Sequence, residues 1–167
     1  PTRSRSSAAS DVYKRQHKMG LHGSPTAVMQ YEGATGWIIG EPNDGLRAMF
    51  TMMNNARLGV GGQGIGVAEA AFQHSTEYAL NRKQGKSTIQ NKHGTIIDHA
   101  DVRRMLISMR ADIFASRSIE LENAKAIDMA NATGEPEWIN KAAFLTPITK
   151  VFGTEIGINI SNLGVQI

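Results

Sequence analysis

The sequence predicts a mainly helical fold, in which a short β hairpin is followed by a partial antiparallel helical bundle. Two observations support this class. Apolar residues recur at three- and four-residue steps along most of the chain beyond residue 44, which is the period of an amphipathic helix. Between residues 26 and 40, by contrast, two short runs (TAVMQYE and GWIIG) flank a glycine-containing turn, which is typical of paired strands.

The first helix is predicted over residues 44–83. Its apolar positions continue at helical spacing from Leu46 to Ala79 without a proline. A polar stretch that contains Gly85, Asn91 and Gly94 follows, and these residue types favour turns. We therefore expect one very long helix that ends in a loop.

Two further helices complete the predicted bundle. Asp98 is expected to cap the second helix. The apolar stripe of that helix is formed by Val102, Met105, Leu106, Met109 and Ile113. Gly134 is expected to end it, and Pro136 to open the third helix, because proline suits a first helical turn. Pro147 is expected to kink the third helix, since it lacks the backbone donor.

Composition excludes several kinds of site. The 167 residues include no cysteine, which excludes disulfides and thiolate metal ligands, and the five histidines have no metal-ligand spacing, so no metal site is expected. No run of about 18 apolar residues occurs, so no membrane span is expected. The net charge of +3 comes from residues 1–16, and the neutral remainder gives no reason to expect nucleic-acid binding.

Residues 1–16 are expected to form a non-native or disordered leader outside the fold. The segment includes four serines and no leucine, isoleucine, phenylalanine or methionine. It therefore cannot bury enough apolar surface to offset the entropy lost on ordering. A transit peptide is the alternative, because the segment is rich in serine and arginine and poor in acid.

Five glycines lie close together inside the first predicted helix, and GVGGQG at residues 59–64 matches the pattern GxGxxG. A dinucleotide site is not expected there, because that motif must join a strand to a helix, whereas helical patterns lie on both sides here. Each glycine costs about 1 kcal/mol relative to alanine inside a helix. We therefore expect another helix or a bulky ligand to approach this face closely, and the residues alone leave both explanations open.

Two groups of side chains are candidates for ligand contacts. Arg57 lies on the apolar stripe of the first helix, where a cation must be paired or must meet an anion. Met53 belongs to a methionine cluster that suits either a deformable wall around an aliphatic ligand or the core. Arg82, with Lys83 and Lys86, fits either the dipole at the helix end or a bound phosphate.

Six segments resemble, in the same order, motifs of the acyl-CoA dehydrogenase family. They are KMGLHGSPT at residues 18–26, GEPNDGL at 40–46, ARLGV at 56–60, QGIGVAEA at 63–70, YALNRKQGK at 78–86 and NLGVQI at 162–167. The likeness runs from residue 17 to residue 167, although the phenylalanine of the family's RKQFGK motif is absent. The first helix looks closest to the subgroup that includes 3-methylmercaptopropionyl-CoA dehydrogenases.

The resemblance implies a domain organisation and a reaction. Residues 17–42 would be the end of the family's middle β-domain, and residues 43–167 would be part of its C-terminal helical domain. Members use FAD to form a double bond between the α and β carbons of an acyl-CoA thioester. Family analogy also implies electron-transferring flavoprotein as a partner, a homodimer or homotetramer, and a cytoplasmic location, with the mitochondrial matrix as the alternative.

The resemblance also assigns site residues. Arg82 matches an arginine that contacts FAD from a neighbouring subunit, and Gln166 matches a glutamine that contacts the flavin nucleotide. Arg57 matches an arginine that helps to place the acyl-CoA, and Met53 lies beside it on the same helix. Asn54 stands where several relatives have an acid that contacts the substrate, so that contact is in doubt here.

No catalytic base is expected within the chain. One branch of the family places its glutamate directly before the long-helix arginine, where this sequence has Ala56, and other branches place it beyond the position of Ile167. The 167 residues alone are therefore expected to be inactive and to hold FAD weakly. Two other functions stay open: a helical interaction module without enzymatic activity, and a flavoprotein related to DNA-alkylation-response proteins, which the neutral charge disfavours.

Overall fold

The computed structural model describes residues 9–87, 89 and 93–167 of the chain. The chain forms two compact units, Pro1–Leu46 and Arg47–Ile167. The first unit contains one pair of strands, and the second contains three long helices with a small hairpin between the first two. The predicted mainly helical class is confirmed.

In the first unit, β1 (Ala9–Arg15) pairs antiparallel with β2 (Ala27–Glu32). β2 confirms the first strand of the predicted hairpin. The second predicted strand is wrong, because residues 34–39 are not in a strand and β2 pairs with the segment that precedes it. The alternation of side chains identifies a strand but carries no information about its partner.

The structure changes one expectation about the start of the chain. Residues 9–15, which the sequence pattern left outside the fold, form β1, whereas residues 1–8 lie outside the described part. The assignment of residues 1–16 as a non-native leader stays a prediction, as do the domain boundaries at 17–42 and 43–167.

The second unit contains three helices, which confirm the predicted bundle. These helices are α1 (Gly45–Asn81), α2 (Ala100–Thr133) and α3 (Pro136–Gln166). Gly134 ends α2 as predicted, in the left-handed conformation with φ of 68°. α3 stays helical on both sides of Pro147, and the kink expected there stays a prediction.

The connection between α1 and α2 contains more structure than the predicted loop. It forms an antiparallel hairpin of β3 (Lys83–Lys86) and β4 (His93–Thr95), followed by a 3₁₀ turn (Ile96–Asp98). Asn91, expected in this loop, lies outside the described residues. The predicted capping role of Asp98 is wrong, because the 3₁₀ turn includes this residue and the helix cap is His99.

The core of the second unit lies between the three helices. The stripe predicted for α2 is buried except at Val102, which is partly buried, and Met109 and Ile113 expose at most 1% of their surface. The apolar cluster around these two residues also includes Ala68, Ala79, Ile96, Leu106, Ile156 and Ile160. The stripe therefore faces both neighbouring helices, as the helical period predicts.

Side-chain pairs show the directions of the helices. Glu69 of α1 pairs with Arg117 of α2. The next contact between the same helices joins Phe72 of α1 to Arg110 of α2, whose guanidinium lies over the Phe72 ring. Residue numbers therefore rise on α1 as they fall on α2, so these two helices are antiparallel. α2 and α3 are joined by a short connection at Gly134 and are antiparallel as well, which makes α1 and α3 parallel.

α1 and α3 approach each other closely at glycines on both helices. A Cβ atom added at Gly153 would lie 2.6 Å from the carbonyl oxygen of Gly61, and one added at Gly157 would lie 3.0 Å from that of Gly64. A Cβ at Gly64 would in turn overlap the carbonyl group of Gly153. Of the two explanations for the glycine-rich segment, the close approach of another helix is therefore confirmed.

The first prediction compares two glycines of α1. Gly64→Ala should lower the free energy of unfolding by about 1–3 kcal/mol, because its Cβ would force the backbone of α3 away. Gly66→Ala, whose Cβ would meet nothing within 4 Å, should raise it by up to about 1 kcal/mol through helix propensity. Urea denaturation of both variants measures the difference, and equal effects would contradict the packing described above.

A polar cluster on one side joins α1 to α2. The side-chain amide of Gln73 donates to Glu69 Oε1 at 3.0 Å, and Arg117 Nη2 donates to Glu69 Oε2 at 3.0 Å. The hydrogen bond from Gln73 and the nearby Arg117 guanidinium lower the pKa of Glu69 below its ordinary value. The ionised carboxylate therefore stabilises the folded state.

The second prediction concerns pH. At pH 7, Glu69→Gln should lower the free energy of unfolding by about 0.5–1 kcal/mol, since the ion pair is partly exposed. Because the folded-state pKa of Glu69 is depressed, this contribution is present above the unfolded pKa of about 4.3 and is lost as the pH falls through the lower folded value. Urea denaturation at pH 7 and pH 3 tests this, with Glu77→Gln as the control, and a loss of equal size at both pH values would refute it.

Candidate functional site

A cavity of about 510 Å³ opens between the first half of α1 and the middle of α3. It lies beside the first close contact of these helices, at Gly61 and Thr149, where backbone atoms of the two helices meet. The cavity is lined by Met53, Arg57 and Val60 of α1 and by Pro147, Lys150 and Val151 of α3. Its wall is therefore apolar except for two cationic side chains.

Arg57 is half-buried in this wall, and its guanidinium is oriented by a neighbour on the same helix. Arg57 Nη1 donates a hydrogen bond to Asn54 Oδ1 at 3.1 Å. No carboxylate of the described residues lies within ion-pair distance of Arg57. The sequence had left open whether Arg57 is paired or meets an anion, and no ion pair forms within this part of the chain. The structure thus brings together three of the predicted residues, with Met53 and Arg57 in the cavity and Asn54 beside it.

The lining of the cavity contains no carboxylate that could take the place of the family's glutamate base. Ala56, at the position where one branch of the family has its glutamate, also lines the wall. None of the residues that line the cavity is an aspartate, a glutamate or a histidine. The expectation that the base lies beyond Ile167 stays a prediction.

Arg82 lies at the other end of α1, where the hairpin holds its backbone. Its amide donates to the carbonyl of Tyr78 at 2.8 Å, and its carbonyl accepts from the amide of Ile96 at 2.8 Å. The side chain is exposed, and Nη2 lies 3.4 Å from the side-chain oxygen of Gln84. The guanidinium is thus free of any carboxylate among the described residues and is accessible to an anion.

Gln166 is the last residue of α3, and its side chain is also exposed. A Cβ atom added at Gly164 would lie 2.8 Å from Ser75 Oγ, so the end of α3 packs near the end of the parallel helix α1. Arg82 and Gln166 are therefore at the same end of the bundle. Their roles toward a flavin stay predictions.

The candidate residues form two separate sites. Arg57 and Arg82 are 25 positions apart, and a helix rises 1.5 Å per residue, so about 37 Å separates them along the axis. One site is an apolar cavity with cations between α1 and α3, and the other is an exposed polar surface at the end of the bundle.

The structure adds residues that no sequence pattern indicated. Lys150 lines the same cavity as Arg57, although the two residues are far apart in the chain. A ring nitrogen of His99 lies 2.9 Å from the carbonyl oxygen of Gln84 and fixes the hairpin next to Arg82. The glycines of α1 indicated where this helix meets another helix. They did not indicate which helix, and so they could not point to Lys150 of α3.

A second cavity, of about 630 Å³, lies between α1 and α2. Its wall is mostly apolar and includes Phe72, Leu106 and Phe114, with Arg103 and Arg110 at the edge. None of the residues predicted for the substrate or the cofactor lines it.

The described residues contain neither a metal-binding cluster nor a membrane-spanning helix. Over residues 9–87, 89 and 93–167, no three histidine, aspartate or glutamate side chains are grouped so that they could hold a metal ion. In the same part of the chain, no helix combines the length and the apolarity that crossing a membrane requires.

Comparison with known sequences gives consistent matches. A family model described as "Acyl-CoA dehydrogenase, C-terminal domain" matches residues 43–167. The chain is 43% identical over 157 residues to 3-methylmercaptopropionyl-CoA dehydrogenase of Ruegeria pomeroyi, an alignment that covers 91% of this chain and 27% of that protein. It is 34% identical over 132 residues to a butyryl-CoA dehydrogenase of Syntrophomonas wolfei, covering 73% of this chain and 22% of that protein. The chain thus spans about a quarter of the length of these relatives.

Comparison with solved structures agrees at the level of the fold. The butyryl-CoA dehydrogenase of Megasphaera elsdenii is similar with a TM-score of 0.71 at 24% sequence identity. The similarity covers 92% of this chain and 37% of that one. At this identity it shows that the two chains share a fold.

The third prediction tests the position of Arg57. Asn54→Asp should place a carboxylate beside the guanidinium and raise the free energy of unfolding at pH 7 by about 0.2–0.5 kcal/mol. The new carboxyl group should have a pKa below its ordinary value, so the gain should vanish when the pH falls below that depressed value. Asn55→Asp is the matched control, because residues two apart on a helix do not face each other. An equal gain in both variants, measured by urea denaturation, would contradict the observed hydrogen bond.

Proposed function

Because the chain belongs to the acyl-CoA dehydrogenase family, we propose that it is the C-terminal helical part of an FAD-dependent enzyme that introduces a double bond between the α and β carbons of an acyl-CoA thioester. The observation that carries this proposal is the cavity between α1 and α3, where Arg57 lies in an apolar wall. An acyl-CoA thioester combines anionic phosphates with an apolar chain, and therefore suits both kinds of surface.

The proposed reaction assigns roles to the residues of this cavity. A base removes the α-proton while the β-hydrogen leaves with its electron pair, and FAD, when bound, would accept that hydride. Arg57, oriented by Asn54, would hold the polar part of the substrate. Met53 would contact an apolar part of it, since its flexible thioether adapts to irregular shapes. The base is proposed to lie beyond Ile167, because Ala56 cannot accept a proton.

Arg82 and Gln166 would contact FAD at the other end of the bundle. The exposed guanidinium of Arg82 has no carboxylate partner in the described part of the chain, and its planar fork suits two oxygens of a pyrophosphate. The side-chain amide of Gln166 supplies both a donor and an acceptor nearby. These residues therefore fit the cofactor, and their exposure fits a cofactor held mainly by another subunit or domain.

The partners and the location follow from the family. We propose a homodimer or homotetramer, because Arg82 and Gln166 would contact a flavin that lies outside this chain. Electron-transferring flavoprotein is the proposed electron acceptor. The cytoplasm is the proposed location, since the relatives described above come from bacteria. The names of those relatives make butyryl-CoA and 3-methylmercaptopropionyl-CoA the first substrates to assay.

The fourth prediction tests the proposed function and the role of Arg82. A version of the protein with the full length of the relatives described above, called here the extended protein, should contain FAD and should oxidise an acyl-CoA in the presence of an artificial electron acceptor. Arg82→Gln should weaken FAD binding about tenfold, because a charge-assisted hydrogen bond to phosphate is lost. FAD content after dialysis and activity at saturating FAD measure the effect.

Arg104→Gln is the control for that experiment. This arginine is exposed on α2 and is paired with Asp101 at 2.8 Å, so its removal should leave FAD binding unchanged. A protein without flavin that oxidises none of the acyl-CoA thioesters would refute the proposed function. Normal FAD binding in Arg82→Gln would refute only the assignment of that residue.

A further inference from the structure

The charges around the cavity between α1 and α3 all have the same sign. Arg57 enters the wall from α1 and Lys150 enters it from α3, and the other residues that line it are apolar. A cleft lined by charges of one sign concentrates the field within it and attracts ions of the opposite sign. The two charged side chains in the lining therefore favour an anion over a cation in this cavity.

Neither cation is neutralised by the described part of the chain. The polar neighbour of Arg57 is the uncharged amide of Asn54, and neither Arg57 nor Lys150 forms an ion pair with any described carboxylate. Elsewhere in the second unit, lysine and arginine side chains do pair, as Lys141 does with Glu122. Among the described residues, the two cations of this cavity therefore lack the carboxylate partner that Arg104, Arg117 and Lys141 have.

The packing of the helices fixes the backbone positions from which the two cations extend, although the Lys150 side chain is itself exposed. Thr149, directly before Lys150, contacts Gly61, which follows Arg57 by one turn of α1. A cation carried on each of two helices in backbone contact keeps its position better than one carried on a loop. The two charges repel each other across the cavity, and an anion bound between them would remove that repulsion.

We propose that Lys150 is a second anion-binding residue, which acts with Arg57 to hold a phosphate group of a CoA thioester in this cavity. The identity of the ligand rests on the proposed function, whereas the selectivity for an anion rests on the cavity itself. An uncharged acyl chain gains nothing from two cations, but a phosphate group offers several oxygens to both donors. Met53, Val60 and Val151 provide the apolar surface that the adjoining part of the ligand would contact.

The test compares two ligands on the purified 167-residue chain. CoA carries phosphates, and pantetheine is the matching part of the molecule without them. Calorimetric titration should show that Lys150→Gln weakens the binding of CoA about fivefold at low salt, which is the range expected for an exposed charge pair. Lys150→Arg should retain the affinity, because it retains the charge. Binding of pantetheine should be the same in all three proteins.

Lys125→Gln is the matched control, because it removes the same charge from an exposed position on α2, where the side chain lies over Trp138. Unchanged CoA affinity in Lys150→Gln, equal binding of CoA and pantetheine, or no binding of CoA at millimolar concentration would each overturn the proposal. If Arg57→Gln loses affinity while Lys150→Gln does not, Arg57 alone binds the anion, and the proposal for Lys150 is overturned in the same way. None of these outcomes depends on oxidation of an acyl-CoA by the extended protein, so the two proposals fail separately.

Discussion

The second unit depends on the backbone contact between α1 and α3. At Gly61, Gly64, Gly153 and Gly157 no side chain separates the two helices, so backbone atoms set the distance between them. Each glycine destabilises the helix by about 1 kcal/mol relative to alanine. The many short van der Waals contacts between the two backbones offset this cost. A second substitution could do little to adjust the contact, because most of the facing atoms belong to the backbone, with the Thr149 side chain at Gly61 as an exception.

The same contact determines where a ligand can be held. Beside the contact of Gly61 with Thr149, the larger side chains of Arg57 and Val60 line the space between the helices, and the 510 Å³ cavity opens there. At the far end, the hairpin leaves the Arg82 guanidinium exposed. One helix therefore carries a residue of each candidate site, and under the proposed function each site is completed by segments outside the described residues.

The sequence predicted what is local and left out what depends on distant neighbours. The period of apolar residues was sufficient for the three helices and for the buried stripe around Met109, because burial of one face follows from that period. The partner of β2 and the hairpin at Lys83–Lys86 were missed, because strand pairing depends on residues that a short pattern does not contain. Lys150 was missed for a related reason: only the three-dimensional packing of Thr149 on Gly61 brings it to the cavity of Arg57.

The length of α1 has a mechanical consequence. The helix spans 37 residues, and its least helix-prone segment, residues 59–66, lies between the two candidate sites. Packing against α3 stabilises this segment. If that packing were loosened, α1 could bend near its middle while both of its ends stay helical. The position of Arg57 relative to Arg82 therefore depends on the contact with α3, and not on α1 alone.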